Sequence, residues 1–237
     1  MKIPPFHWWR TVFFLIPAIG VYTIILGIIS LLSTIVDRRG HTAHRCAQWW
    51  SWLILKTTRV RVTVIGRTPS TDASYVFAAN HQSFYDIPVI FASLPFSMRI
   101  PAKASLGRFP FIGWHLRFAG HLLLDHKDRA AEVLKKMQRM ISDRASLVIF
   151  PEGTRSRDGV VLPLKGGVFL MAIDSELPVV PMSISGTRQV MPKGRLMTCP
   201  GDVTLTIHEP IPTSGMTRAS ARGLAARVQE ILAEGAS

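Results

Sequence analysis

Apolar residues follow different patterns along the chain, and each pattern predicts a different kind of element. Residues 11–36 contain no charged residue, and at about 1.5 Å per residue a helix of this length could cross a ~30 Å hydrocarbon layer. Trp8 and Trp9 come just before it, where an interfacial aromatic belt is expected. We predict a membrane-anchoring helix here, which either spans the bilayer or enters it as a re-entrant or shallow helix. A buried core helix is the alternative.

Residues 46–59 form a second apolar segment, in which tryptophans and aliphatic residues lie between basic residues. This pattern is typical of an amphipathic helix. Its apolar side could rest in a membrane interface or pack on the rest of the protein, and both can hold at once.

From residue 59 onward, short strand patterns alternate with helical patterns. In residues 59–65 valines alternate with polar residues, which predicts a strand with one solvated face. The predicted strands are 59–65, 74–80, 146–150, 177–185 and 203–208, and the predicted helices are 84–94, 129–142, 167–174 and 217–233. Such alternation predicts an α/β fold with a mixed, largely parallel sheet flanked by helices, preceded by an N-terminal hydrophobic helical membrane anchor.

The charge of the chain restricts its partners. Lys and Arg outnumber Asp and Glu by 28 to 15, and the formal net charge is +13, which favours anionic partners. The cations are dispersed, without a zinc-finger spacing or an RNA-recognition signature, so we do not expect nucleic acid as a partner. A long apolar segment in a basic chain fits an anionic membrane surface better. The histidines at 115, 121 and 126 have no standard metal spacing, and we expect no metal.

One polar cluster, residues 80–86, directly follows a predicted buried strand, where open α/β sheets bind ligands. His81 could act as a general base for an alcohol, and Asp86 could fix its tautomer. Five residues of helix turn through about 500°, so the two side chains can meet only if His81 lies on a turn and Asp86 lies just inside a helix. The alternative is a capping box, in which Ser83 and Asp86 merely satisfy backbone N–H groups.

A second polar cluster, residues 151–159, follows the strand predicted at 146–150. Arg155 could grip a phosphate through two parallel hydrogen bonds, and Gly153 would let the backbone approach a ligand closely. Glu152 could accept hydrogen bonds from a hydroxyl group or hold Arg155. The alternative is a surface loop with a local Glu–Arg pair.

Together the clusters read N-H-x4-D and, later, F-P-E-G-T-R-S, and they resemble the glycerolipid acyltransferase family of bacterial 1-acyl-glycerol-3-phosphate acyltransferases. The similarity covers residues 62–211. The resemblance implies that His81 deprotonates an acceptor hydroxyl and that Asp86 orients His81. It also implies a set of substrate-binding positions, which are Glu152, Gly153, Thr154, Arg155, Arg157 and Lys103. Where many relatives carry an arginine, this chain has His126, and Arg117 or Lys127 is a candidate replacement.

The resemblance further implies a reaction: a fatty acyl group passes from acyl-CoA or acyl-carrier protein to the sn-2 hydroxyl of lysophosphatidic acid, giving phosphatidic acid. No cofactor is expected, since the thioester is a co-substrate. The implied partners are the lysophospholipid, the thioester, the bilayer and, as a further candidate, acyl carrier protein. We divide the chain into membrane-associating helices, 1–57, and an acyltransferase domain, 58–237.

A slight excess of Lys and Arg after the apolar segment favours a cytoplasmic position for this domain, and the resemblance to bacterial enzymes implies a bacterial inner membrane. The alternatives are another acceptor, such as a lyso-ornithine lipid or glycerol 3-phosphate, a phospholipid hydrolase, and a basic membrane-binding protein without catalysis.

Overall fold

Two helices precede an α/β domain in the computed structural model, which describes residues 5–33, 35, 37, 41–125, 132, 133, 135–137 and 145–236. Helix α1 spans Phe6–Ser33 and includes a π-helical stretch at Thr11–Leu15. Helix α2 spans His41–Thr58. The predicted boundary between residues 57 and 58 therefore falls in the last turn of α2.

A mixed sheet forms the centre of the domain. Its strands are β1 (Val60–Gly66), β2 (Val76–Ala79), β3 (Met98–Arg99), β6 (Ser146–Ile149), β7 (Val179–Ser185) and β8 (Gly201–Ile207). Among the described residues it has six strands in the order β1-β8-β7-β2-β6-β3. Neighbouring strands are parallel except β7 and β8. The prediction of a mixed, largely parallel sheet is confirmed.

Helices and a small second sheet surround the central sheet. The helices are α3 (Asp86–Ser93), α4 (Ile112–Phe118), α5 (Gly167–Asp174), α6 (Thr187–Val190) and α7 (Ala221–Gly235). Strands β4 (Pro101–Lys103) and β5 (Leu122–Leu124) pair in parallel. The sequence analysis predicted α3, α5 and α7 but not α4, α6 or β3 to β5. The helix predicted at 129–142 lies largely outside the described residues.

The core has two apolar layers, one on each face of the central sheet. Because side chains alternate across a strand, Phe77 of β2 packs with α3 and β8 on one face, while Val76 of the same strand packs with α5 and α7 on the other. All four residues of β2 are buried. This two-sided burial explains why the central strands read as unbroken apolar runs. It also makes rigid the ends of the strands that the two polar clusters follow.

Strand β1 corrects one detail of the prediction. Its valines were expected to form a buried face, and Val60 is buried, but Val64 is 43% exposed. The reason is position in the sheet, because β1 is an edge strand that pairs with β8. Layers that cover the central strands do not cover the far half of an edge strand.

Helix α1 is long and apolar enough to cross a membrane, by length and composition alone, and little of its most apolar stretch is buried. It nevertheless contacts the rest of the protein along its length. Near its start, the Thr198 N–H donates to Thr11 Oγ1 over 2.9 Å. In its middle, Thr23 Oγ1 accepts from Trp50 Nε1 of α2 over 2.9 Å. At its end, Ser30 Oγ lies 2.8 Å from His115 Nδ1. Helix α1 thus lies along the protein.

Helix α2 uses its two sides differently. Residues such as Cys46, Ile54 and Leu55 are buried, which confirms that one side packs on the protein. On the opposite side the rings of Trp49 and Trp52 are exposed and lie 5.6 Å apart. Contact of this side with a membrane interface stays a prediction.

Candidate active site

The two polar clusters leave the sheet at the same edge. Residues 80–86 follow β2 and residues 151–159 follow β6, and these two strands are parallel neighbours. Asn80 fixes the start of the first loop against β7. Its Nδ2 donates to the Ile184 carbonyl over 2.9 Å, and the Ile184 N–H donates to its Oδ1 over 2.7 Å. Both loops are therefore held by a rigid part of the sheet.

The His81 and Asp86 side chains meet, with 2.7 Å between His81 Nδ1 and Asp86 Oδ2. His81 lies on the loop and Asp86 is the first residue of α3, which is the arrangement that the spacing required. The Asp86 carboxylate is fully buried. Its Oδ2 also accepts the N–H groups of Gln82 and Ser83, over 2.7 and 2.9 Å. The capping and orienting interpretations are therefore compatible, since one carboxylate does both.

The imidazole of His81 is positioned for proton transfer. It stacks on the ring of Phe150, with 4.1 Å between ring centroids and 21° between planes. The side chain is 17% exposed. With Nδ1 bonded to a carboxylate, the proton belongs on Nδ1 and the lone pair on Nε2. Nε2 can then accept a proton from an incoming hydroxyl group.

Glu152 joins the two loops. This buried side chain accepts the His81 N–H at Oε1 over 2.6 Å and the Leu162 N–H at Oε2 over 2.8 Å. Burial raises the pKa of the Glu152 carboxyl group, and these two hydrogen bonds oppose that rise. A second bond between the loops, besides the one from the His81 N–H to Glu152, runs from the Ser156 N–H to the His81 carbonyl over 2.7 Å. The described hydrogen bonds of Glu152 are thus to backbone groups, and its contact with a substrate stays a prediction.

Arg155 is held by an aromatic ring of the first loop. Its guanidinium carbon lies 3.8 Å from the centroid of Phe84, a cation–π contact. Partial burial lowers the pKa of the guanidinium, but an arginine keeps its charge in proteins. Lys193 Nζ donates to the Arg155 carbonyl over 2.7 Å and to Thr154 Oγ1 over 3.0 Å. The Arg155 guanidinium and the Lys193 ammonium are therefore each held at this loop by separate contacts.

Phe84 and Lys193 are site residues that the sequence analysis missed. Phe84 lies inside the first cluster, so its aromatic side chain beside a histidine was an available signal. Lys193 carries no such signal, because it reaches the loop from a separate segment after α6.

Gly153 has φ +69°, and an added Cβ would collide with the Lys165 side chain. The left-handed backbone here favours glycine whatever the position of the Lys165 side chain, and a close approach of a ligand to Gly153 stays a prediction. Arg157 is exposed on the same loop. Lys103 ends β4 and lines a small pocket with Arg108 and Asp125. Contacts of Arg157 and Lys103 with a substrate stay predictions.

The remaining predictions concern the region of residues 115–127. Of the candidate replacements for the arginine of relatives, Arg117 lies on α4, and Lys127 lies outside the described residues, as does His126. Within the part of the chain that the structure describes, no group of three or more His, Cys, Asp or Glu side chains could hold a metal ion.

Comparison with known proteins gives consistent matches. A family model described as acyltransferase matches residues 60–185. A chloroplast 1-acyl-sn-glycerol-3-phosphate acyltransferase from Brassica napus is 36% identical over 166 residues, 69% of this chain and 48% of the relative. The corresponding yeast enzyme, from Saccharomyces cerevisiae, is 28% identical over 89% of this chain and 70% of its own length. The chain spans about half the length of the plant relative.

Among solved structures, the 1-acyl-sn-glycerophosphate acyltransferase PlsC from Thermotoga maritima is similar, with a TM-score of 0.75 and 28% sequence identity. The match covers 92% of this chain and 93% of that one.

Replacing Glu152 with Gln tests the link between the loops. The amide keeps one acceptor oxygen but turns an N–H group toward one of the two backbone donors. We expect the free energy of unfolding to fall by about 1–3 kcal/mol, the usual cost of a buried donor without a partner. Chemical denaturation in detergent measures it. The exposed Glu230→Gln on α7 is the control and should unfold like the wild type. Equal stability of both variants would contradict the proposed link.

Proposed function

The chain belongs to the acyltransferase family, and on that basis we propose that it transfers a fatty acyl group from a thioester to the sn-2 hydroxyl of lysophosphatidic acid. The observation that carries this proposal is the His81–Asp86 pair on a loop that also holds Arg155. A general base that can deprotonate a hydroxyl group thus lies near a cation that can bind a phosphate. The names of the matched relatives support the choice of acceptor.

The mechanism follows from the two nitrogens of His81. As the acceptor oxygen attacks the thioester carbonyl carbon, Nε2 removes the hydroxyl proton. Asp86 stabilises the imidazolium that forms, through the bond at Nδ1. The tetrahedral intermediate then collapses, the C–S bond breaks, and the leaving thiolate takes the proton from Nε2. The products are the diacyl lipid and a free thiol, and His81 returns to its neutral form without an acyl-enzyme.

Arg155 would bind the phosphate of the acceptor. A guanidinium can donate two parallel hydrogen bonds to phosphate oxygens, and Phe84 holds the group in place before substrate arrives. A fixed phosphate limits the positions that the glycerol hydroxyl can take. Binding energy from the headgroup then serves to orient the reacting oxygen.

We place the protein at the cytoplasmic face of a bacterial inner membrane. The exposed apolar side chains of α1, among them Phe13 and Leu32, form a surface that lipid would cover. Because α1 is bonded to the domain at its start and end and to α2 in its middle, we propose a shallow insertion. Both ends of α1 would then stay on the side of the bilayer where the domain lies.

The acyl donor is a thioester of coenzyme A or of acyl carrier protein. Assays of the purified chain in detergent with either donor, monitoring free thiol and lipid product, decide between them. The same assay with glycerol 3-phosphate or a lyso-ornithine lipid tests the alternative acceptors, and release of free fatty acid would indicate hydrolysis.

Replacing His81 with Ala should lower kcat by about 10²–10⁴-fold, the contribution of a positioned general base. The measurement is the initial rate of thiol release with lysophosphatidic acid as acceptor. The exposed His41→Ala in α2 is the matched control and should keep wild-type activity. A near-normal kcat for His81→Ala would show that His81 is not the general base.

Replacing Arg155 with Ala should raise the KM for lysophosphatidic acid about tenfold or more, since a hydrogen bond to a charged group contributes ~1.5–3 kcal/mol. The KM for the acyl donor should not change. Steady-state kinetics with each substrate varied in turn measure both constants. Arg222→Ala, an exposed arginine of α7, is the control. An unchanged acceptor KM would show that Arg155 does not bind the phosphate.

Cysteine labelling tests the shallow insertion. In a background without Cys46 and Cys199, Phe6→Cys reports the start of α1 and Glu230→Cys reports the domain. Impermeant maleimide should label both from the same face of sealed vesicles, because the first turns of α1 are bonded to Thr198. Labelling of the two positions from opposite faces would instead establish a membrane-spanning α1.

A further inference from the structure

We propose that Thr187 is a positioning residue for the catalytic pair, an inference that rests on the proposed function. Thr187 is fully buried at the start of α6. Its hydroxyl group donates to Asp86 Oδ1 over 2.5 Å. The other oxygen of the same carboxylate, Oδ2, accepts from His81. Thr187 therefore acts on the base through Asp86 and does not need to touch a substrate.

The carboxylate needs a partner on each oxygen to keep its orientation. The terminal torsion of an aspartate is broad and does not fix the plane of the carboxylate by itself. With Oδ1 bonded to Thr187 and Oδ2 bonded to His81 and two backbone N–H groups, the plane is fixed from both sides. The imidazole then keeps its proton at Nδ1 and presents Nε2 to the acceptor.

The hydroxyl of Thr187 is itself held by the fold. The preceding Gly186 has φ +89°, and a side chain there would collide with the Asp202 carbonyl of β8. The backbone of Thr187 is bonded in turn, because its carbonyl accepts the Met191 N–H over 3.0 Å. The position of Thr187 is thus set by the end of β7 and the start of β8, which do not belong to either polar cluster.

Three side-chain links join residues 184–191 to residues 80–86. Asn80 is bonded to the backbone of Ile184, Asp86 to the hydroxyl of Thr187, and Ser83 Oγ to the Met191 carbonyl over 2.8 Å. The first and third links attach the backbone of this segment to the loop. The second link connects it to the catalytic carboxylate, so a change at Thr187 should reach the chemistry while the loop stays attached.

The test compares Thr187→Val with Thr187→Ser in the full-length enzyme in detergent. Valine removes the hydroxyl group at nearly constant volume, and serine keeps it. We expect Thr187→Val to lower kcat about 10–100-fold, by analogy with the loss of a residue that orients a metal-binding histidine, with both KM values within about twofold of wild type. Thr187→Ser should keep most of the wild-type kcat.

The control is Thr213→Val, which removes another buried hydroxyl group, one that donates to the Leu177 carbonyl over 3.0 Å. Thermal unfolding of all variants is measured in parallel. Thr213→Val should lose stability as Thr187→Val does and yet keep its kcat. If Thr187→Val does not fold, Thr187→Ala, which removes the hydroxyl group without adding a methyl, is judged by the same criteria.

The outcomes separate this proposal from the proposed function. A wild-type enzyme without acyl transfer would reject both. An active wild type with a fully active Thr187→Val would reject only the role of Thr187. So would a Thr187→Ser variant that is as slow as Thr187→Val, because the hydroxyl group would then not be the cause.

Discussion

The buried carboxylate of Asp86 is the interaction on which the site depends. An ionised carboxylate away from water is very unfavourable unless it is hydrogen-bonded. Here it accepts from the imidazole of His81, from two backbone N–H groups of the loop and from Thr187. Each hydrogen bond fixes the chain segment to which its donor belongs. Satisfying one charge therefore fixes the turn after β2, the start of α3 and the start of α6 in a single arrangement.

A second buried carboxylate, Glu152, extends this arrangement to the other loop. It accepts the backbone N–H of His81, so a side chain of the second cluster fixes the backbone of the first cluster. Arg155 makes a further contact between the two clusters, since its guanidinium lies over Phe84 of the first cluster. The two clusters, far apart in sequence, are one structural unit. This explains why the carboxylates of Asp86 and Glu152 are buried although both belong to polar clusters.

The parts of this architecture that could be predicted from sequence are those with a local cause. Helix α5 occupies the predicted residues, Gly167–Asp174, because an apolar run between glycine and polar residues has few alternatives. Strands β3 to β5 have two or three residues each, too few for a periodicity. The exposure of Val64 depends on the place of β1 at the sheet edge, and the link from Thr187 to Asp86 depends on two chain segments meeting in space. Neither is encoded within a window of neighbouring residues.

In the proposed reaction, transfer to a lipid rather than to water depends on which hydroxyl group reaches His81 first. A histidine base activates water as readily as an alcohol, so the base does not by itself select the acceptor. Selection has to come from the surroundings of the imidazole. Phe150 covers one face of the ring, which keeps water off that face of the imidazole. In the proposed reaction Arg155 would supply the opposite effect for the lipid, because a bound phosphate would hold the glycerol hydroxyl near the base at a high effective concentration. The aromatic ring and the cation would thus act together with His81 and Asp86 to favour acyl transfer over hydrolysis.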